Sequence, residues 1–198
     1  MTNQPAPLKL DREAWLTEAA GLILDELIAP HCELPTRPYR ISVGFPSGKV
    51  SRVVAQCWVS AASADGTNEI FVSPTVDDSL EVLAAVVHEL VHYTDDCQSG
   101  HKGHFARVAR QVGLVGRLTA TTAGDGLVRS LQQYVDLLGQ IPHAKITPSK
   151  SGIKKQGTRM IKVACTGCYF SFRATQKNID KIRRHDCPAC SVGNLATQ

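Results

Sequence analysis

The chain has 198 residues, 43% of them hydrophobic, and a formal net charge of +4, which allows a real core in one or two domains. No apolar run is long enough to span a membrane, and Met1 to Pro7 lacks the basic start and apolar stretch of a secretory signal. Seven cysteines are an odd number and four of them form two Cys-x-x-Cys units, which argues for metal binding in a reducing compartment rather than a disulfide framework.

In chain order, residues 11–29 read as an amphipathic helix. Asp11 caps it, Trp15, Leu16, Ala19, Ala20, Ile23, Leu24, Leu27 and Ile28 recur at helical spacing, and Pro30 stops it. His31 and Cys32, just beyond, have no evident chemical role. Three strand-like runs follow: Ile41 to Phe45, Val50 to Ser60 and Glu69 to Ser73. Pro46 to Lys49 and Ala64 to Asn68 separate them as turns, so two hairpins in series are expected, with Cys57 and Trp58 as packing residues on the middle strand.

A helix capped by Asp77 or Asp78, with Glu81 in capping-box position, is expected to run to about Asp96. A further helix is expected over His104 to Val112, a loop over Leu114 to Gly126, and a helix over Leu127 to Leu138 stopped by Gly139. Ile141 to Gly157 is rich in Pro, Ser, Lys and Gly and reads as a linker.

The chain is organised around Val86 to Tyr93, which reads Val-Val-His-Glu-Leu-Val-His-Tyr. His88 and His92, four apart, share one face of a helix, and Glu89 projects beside them. This His-Glu-x-x-His arrangement supplies two nitrogen ligands for zinc and a carboxylate that is not a ligand. A catalytic zinc has three protein ligands and one open position, where it acidifies water. Glu89 is then placed to take the proton as water attacks a carbonyl and to pass it to the leaving amine. The plain alternative is a chance pattern on a core helix. Against that, the flanks Leu83, Ala84, Val86, Val87, Leu90 and Val91 are apolar, and buried His and Glu need partners.

Residues type by type leave the third ligand open between His101 and His104. The long metzincin pattern would need Gly and His where the chain has Asp95 and Gln98, and no Asp or Glu occurs between Cys97 and Gly124 to serve as a thermolysin-type ligand. Gly100-His101-Lys102-Gly103-His104-Phe105 resembles the Gly-His-Gly-x-x-Phe segment of SprT-like metalloproteases, the family that includes Spartan. The resemblance extends to the helix and small sheet before the motif, to Ala64-Asp65-Gly66 and Ile70-Phe71-Val72-Ser73-Pro74, and to paired cysteines after it. It implies His101 as third ligand; Lys102, where the family usually has Gly, departs from the pattern and keeps His104 in play. It is nearest to short members from bacteria and their phages, which implies a cytoplasmic protein.

Cys165-x-x-Cys168 and Cys187-x-x-Cys190, separated by eighteen residues, are a four-thiolate structural zinc signal. A module of that size gains its missing stability from the metal. His185 reads as a surface residue. Phe170 or Phe172 is expected to fill the module's core.

The charge is split: residues 1–142 hold 11 basic and 16 acidic side chains, a net −5, and residues 143–198 hold 11 basic and two acidic, a net +9. Arg173, Lys177, Lys181, Arg183 and Arg184, with Tyr169 nearby, are candidate nucleic-acid contacts, and DNA or another polyanion is the expected partner. A merely solubilising basic surface is the alternative.

These readings combine into an α+β chain. Residues 1–142 form a zincin-like, SprT-like domain with a three-stranded antiparallel sheet and an active-site helix, 143–158 a linker, and 159–198 a zinc ribbon. The expected function is zinc-dependent endopeptidase, with one catalytic and one structural zinc, acting on nucleic-acid-associated proteins. The alternative is a non-proteolytic nucleic-acid-binding or transcription-related protein that retains the fold.

Overall fold

In the computed structural model, which describes residues 10–47, 53–150, 160–181, 186–190 and 192–197, helices and small sheets are mixed. The chain divides into two units, Met1–Pro148 and Ser149–Gln198. No helix among the described residues is long and apolar enough to cross a membrane.

In the first unit, Asp11 accepts a hydrogen bond from the Ala14 N–H at 2.8 Å and starts helix α1 (Arg12–Leu22), which continues as a π-helical turn over Ile23–Ile28 before Pro30. Its stripe of Trp15, Leu16, Ala19, Ala20, Ile23 and Ile28 is fully buried. Strands β1 (Tyr39–Val43), β2 (Ala55–Trp58) and β3 (Asn68–Val72) then form one sheet.

The sheet order is β1-β3-β2, with β1 parallel to β3 and β2 antiparallel to it. The expected three-stranded antiparallel sheet of two successive hairpins is therefore incorrect. Only the second hairpin forms, and the third strand, not the second, is central. Strand β3 carries the densest apolar run, with Ile70 and Val72 buried, so pairing it on both sides removes most apolar surface from water. The inward face comprises Ile41, Ala55, Ile70 and Val72. Residues 48–49 of the expected first turn and 50–52 of the expected second strand lie outside the described residues.

Helix α2 (Ser79–Thr94) lies on this face. Asp78, not Asp77, caps it by accepting from the Glu81 N–H at 2.8 Å. Val82, Leu83, Val86, Val87, Leu90 and Val91 are fully buried, because α1, the sheet, α3 (Gly103–Gln111), the strand Ala120–Ala123 and α4 (Asp125–Leu138) all pack on the helix. Each such side chain contributes roughly 1.5–3 kcal/mol of burial. The expected loop over Leu114 to Gly126 is instead a hairpin, β4 (Leu114–Arg117) paired antiparallel with β5 (Ala120–Ala123).

Past α2 the chain turns sharply. Asp96 and Cys97 are both left-handed, with φ of 56° and 60°. That costs on the order of 1 kcal/mol per non-glycine residue, and neighbouring contacts hold it. Asp96 accepts from the Ser60 N–H at 2.7 Å, the Ser60 hydroxyl at 2.8 Å and Asn68 Nδ2 at 2.8 Å, with Arg37 Nε at 3.8 Å. Arg37 also donates to Asn68 Oδ1 at 2.7 Å and to the Tyr93 carbonyl at the end of α2. One carboxylate thus ties the helix end to the β2–β3 connection at Ser60 and to the start of β3 at Asn68.

After α4 the chain returns to the start of α2. The Ile141 N–H donates to Ser79 Oγ at 3.0 Å, the Ile146 N–H donates to the Pro74 carbonyl at 2.9 Å, and Lys145 pairs with Asp77 at 3.0 Å. The first residues of the expected linker are therefore a strap on this unit; 151–159 lie outside the described residues.

The second unit is a three-stranded antiparallel sheet, order β7-β6-β8, made of β6 (Ile161–Cys165), β7 (Ser171–Ala174) and β8 (Leu195–Thr197), with a short helix α5 (Gln176–Ile179). Val163, Ala164, Cys165, Ala174 and Cys187 are its buried hydrophobic residues among those described. Phe170 is 40% exposed and Phe172 half-buried, so small side chains around the sulfurs, rather than Phe170, make this core.

Burial opposes ionisation of Asp96, but its bonds from Ser60 and Asn68 and the charge of Arg37 outweigh it and hold the carboxyl below its ordinary value. A folded-state pKa below the unfolded one contributes stability that is present above the ordinary carboxylate range, about 4, and is lost as pH falls through the lowered value. Asp96→Ala is expected to reduce stability at pH 7 by about 2 kcal/mol in urea denaturation. The mutant should also lose less stability than wild type between about pH 4 and pH 2.

Candidate metal centres

Helix α2 presents His88 and His92 one turn apart, and the turn from Asp95 to Lys102 brings His101 to the same point. Two glycines at positive φ make that turn possible, Gly100 at 52° and Gly103 at 47°. Ser99 fastens it, with its N–H donating to Asp95 Oδ2 at 3.1 Å and its Oγ accepting from the Phe105 N–H at 3.2 Å.

The Nε2 atoms of His88 and His101 lie 3.3 Å apart, as do those of His92 and His101. Zinc bonds of about 2.0–2.1 Å at tetrahedral angles would place ligand nitrogens about 3.3–3.4 Å apart. The three rings could hold a metal ion, and the spacing is compatible with zinc. Of the two downstream candidates, only His101 joins the group. His104 Nε2 is instead 2.8 Å from Thr94 Oγ1, and its Nδ1 is 3.2 Å from Arg107.

Burial pushes His88 down to about 3 and His92 down to about 4, with neighbouring imidazoles adding to the effect, and burial also lowers His101. Neutral imidazoles are the ligating form. His92 Nδ1 is buried with no hydrogen-bond partner. His88 Nδ1 sits 2.7 Å from Thr121 Oγ1 on β5. With Nε2 facing a metal, Nδ1 carries the proton and donates to the threonine, which fixes the tautomer and ring angle. Phe105 of α3, fully buried, stacks on His92 at 4.2 Å and meets His88 and His101 edge-on at 4.8 and 5.1 Å.

Glu89 is 8% exposed and is not part of the ligand group. Its Oε2 accepts from the Cys57 backbone N–H at 2.7 Å. Burial raises its carboxyl to about 7, against the lowering effect of that N–H. Glu89 and the three histidines line a cleft of about 870 Å³ whose walls include Val53, Val54 and Ala55 before and on β2, Leu80, Ala84 and Ala85 on α2, and Ala123 on β5. Among the described residues β2 pairs only with β3, and its other edge faces this cleft, where the Cys57 N–H meets Glu89.

The second group is Cys165, Cys168, Cys187 and Cys190. Sulfur separations are 3.7 Å for Cys165 and Cys190 and 3.6 Å for Cys168 and Cys187. Four zinc–sulfur bonds of about 2.3 Å at tetrahedral angles would place sulfurs about 3.8 Å apart. Gly167 N–H donates to Cys165 Sγ at 3.2 Å and Ala189 N–H to Cys187 Sγ at 3.3 Å. Backbone N–H groups lower the Cys165 thiol, and those of Val192 and Gly193 lower Cys190 to about 6. A Cβ on Gly193 would fall 2.4 Å from Cys165 Sγ, so only glycine fits against the sulfurs. All four positions are filled by protein, the arrangement of a structural site.

Of the candidate nucleic-acid contacts, Arg173, Lys177 and Lys181 are exposed, while Arg183, Arg184 and the neighbouring His185 lie outside the described residues. Tyr169 is 85% exposed at the first cysteine turn, at φ 62°. Three contributors at the histidine site escape sequence reasoning. Cys57 acts there through its backbone, Thr121 belongs to a hairpin read as loop, and Asp96 carries no motif. No family model, curated protein or solved structure matches the chain.

The purified chain is expected to carry two metal ions by elemental analysis. His101→Ala should lose one and His104→Ala should keep both; the reverse result would move the third ligand to His104. Thr121→Ala should keep the fold and weaken the histidine site's metal affinity about 10–100-fold, with Thr121→Ser restoring it.

Proposed function

We propose that the first unit is a zinc-dependent endopeptidase of zincin-like fold in the SprT-like class, with zinc on His88, His92 and His101 and Glu89 as general base. The observation that carries the reading is the buried Glu89 carboxyl, tethered through one oxygen beside three converging imidazoles at an apolar cleft. A cation there, when bound, polarises a peptide carbonyl and makes water nucleophilic at neutral pH.

The chain's own groups do the rest. The Cys57 N–H occupies Glu89 Oε2, which leaves Oε1 to take a proton from the attacking water and deliver it to the leaving amine. With its carboxyl raised to about 7, Glu89 can take up and release a proton near neutral pH; a nearby cation pulls that value lower and favours the carboxylate that accepts. The free edge of β2 suits an extended peptide added as a further strand, and the aliphatic walls suit an apolar side chain beside the scissile bond.

The four-cysteine unit holds structural zinc and brings the enzyme to DNA or another nucleic acid. Support comes from the net charge of +9 over residues 143–198, from the exposed Arg173, Lys177 and Lys181, and from the protruding Tyr169. Proteins bound to nucleic acid are then the substrate class. The same charge favours a second reading, a nucleic-acid-binding or transcription-related protein in which the cleft cuts nothing.

The discriminating experiment incubates wild type and Glu89→Gln with a DNA-bound protein, with and without DNA, and looks for fragments. Glu89→Gln should lower the cleavage rate about 10²–10⁴-fold at unchanged metal content. Equal, absent cleavage by both metal-loaded proteins would leave the binding reading. For binding itself, affinity should fall steeply with salt, and Lys177→Ala with Lys181→Ala should flatten the log–log slope by about two at most. A salt-independent affinity would rule out phosphate contact as the source of binding.

A further inference from the structure

Two cysteines belong to neither metal-ligand group and yet stand in the cleft. Cys57 lies on β2, at the cleft edge, and Cys97 lies just beyond α2, forty residues later. Both are half-buried and both line the cleft with Glu89. The Cys97 thiol donates to the Cys57 carbonyl oxygen, with Sγ at 3.8 Å, so the two residues touch.

This contact is built by strained backbone. Cys97 and its predecessor Asp96 are the two left-handed residues that follow α2. The bonds of Asp96 to Ser60 and Asn68, and the Cys97 N–H to the His92 carbonyl at 2.8 Å, hold that conformation. Packing alone would be met by a relaxed turn and any small apolar residue. A turn held in a rarely adopted conformation that brings the thiol of one cysteine onto the backbone of another points to function.

We infer that Cys57 and Cys97 are a reversible dithiol–disulfide site in the wall of the metal cleft, oxidised by a peroxide or by a small-molecule disulfide that enters through the cleft. Both residues line the cleft, so either thiol can meet the oxidant first, and the product is the same. With hydrogen peroxide at Cys97, its sulfur attacks one oxygen, the O–O bond breaks, and Cys97 sulfenic acid and one water result. The Cys57 sulfur then attacks the sulfenic sulfur, its proton leaving with the displaced hydroxide as a second water. With a disulfide oxidant, two exchange steps form the same bond and release two small thiols. Either way the pair loses two protons and two electrons. The Cys57 N–H is also the donor to Glu89, so the cross-link forms at the residue that positions that carboxylate.

The test treats the full-length, metal-loaded chain with stoichiometric hydrogen peroxide or oxidised glutathione, alkylates remaining thiols, and maps peptides by mass spectrometry. The expected product is a single Cys57–Cys97 cross-link, two hydrogens lighter than the dithiol, that disappears on treatment with dithiothreitol. Cys32, packed on α1 with its Sγ 3.8 Å from the Ile28 carbonyl, should be recovered alkylated. In Cys57→Ala, Cys97 has no resolving partner and should be trapped by dimedone as sulfenic acid or by glutathione as a mixed disulfide. Recovery of Cys57 and Cys97 as separately alkylated thiols after full oxidant exposure would overturn the inference, as would cross-links from either to Cys32.

Discussion

Three imidazole nitrogens brought within about one van der Waals contact of each other, in a pocket that lowers the proton affinity of all three, make the constraint on which the first unit depends. Lone pairs aimed at one point repel unless a cation lies between them, and burial denies them protons as the remedy. The surrounding structure keeps the rings from relaxing apart. Phe105 forms a floor under all three, Thr121 clamps His88 from the hairpin side, and the tight turn after α2 fixes the direction of His101. Leu90 and Val91, fully buried, anchor the helix between its two ligands.

The two metal groups divide the chemistry. The cysteine group offers four sulfurs, backbone N–H donors on them and a glycine with no room for a side chain, so an ion held there would have no position left for a substrate. The histidine group uses three neutral ligands and opens on a cleft with a carboxyl beside it. Charge follows the same division. The four-cysteine group stands in the net basic part of the chain, and the three-histidine group stands in the net acidic part.

What was legible in the sequence was local. Helix α1 with its Asp11 cap, α2 with its Asp78 cap, and the His88, Glu89, His92 face follow from periodicity and cap chemistry within a few residues. The cysteine spacing announced its own group. The illegible parts depend on contacts far apart in sequence. Parallel pairing of β1 with β3 cannot be read from turn residues, because the strands join across an intervening strand. The β4–β5 hairpin is short and rich in Thr and Gly, and its residues are mostly exposed, so no alternating apolar signal marks it. Cys57 acts through a backbone N–H, which no side-chain pattern records, and Asp96 matters only because folding brings Ser60, Asn68 and Arg37 around it. His101 and His104 are three apart in sequence; the left-handed turn ahead of them separates their fates.

The strap after α4 has a mechanical consequence. His143 Nε2 and the Ile146 N–H both reach the Pro74 carbonyl, and Lys145 reaches Asp77, so the chain leaving the first unit is fastened just ahead of the Asp78 cap of the helix that bears His88 and His92. A tug arriving along the chain from the basic unit would therefore load the start of that helix before it loads α4. A few hydrogen bonds of about 1 kcal/mol each would yield well before the aliphatic core. The strap would act as a weak fuse that peels first and spares the ligand geometry when the two units are pulled apart.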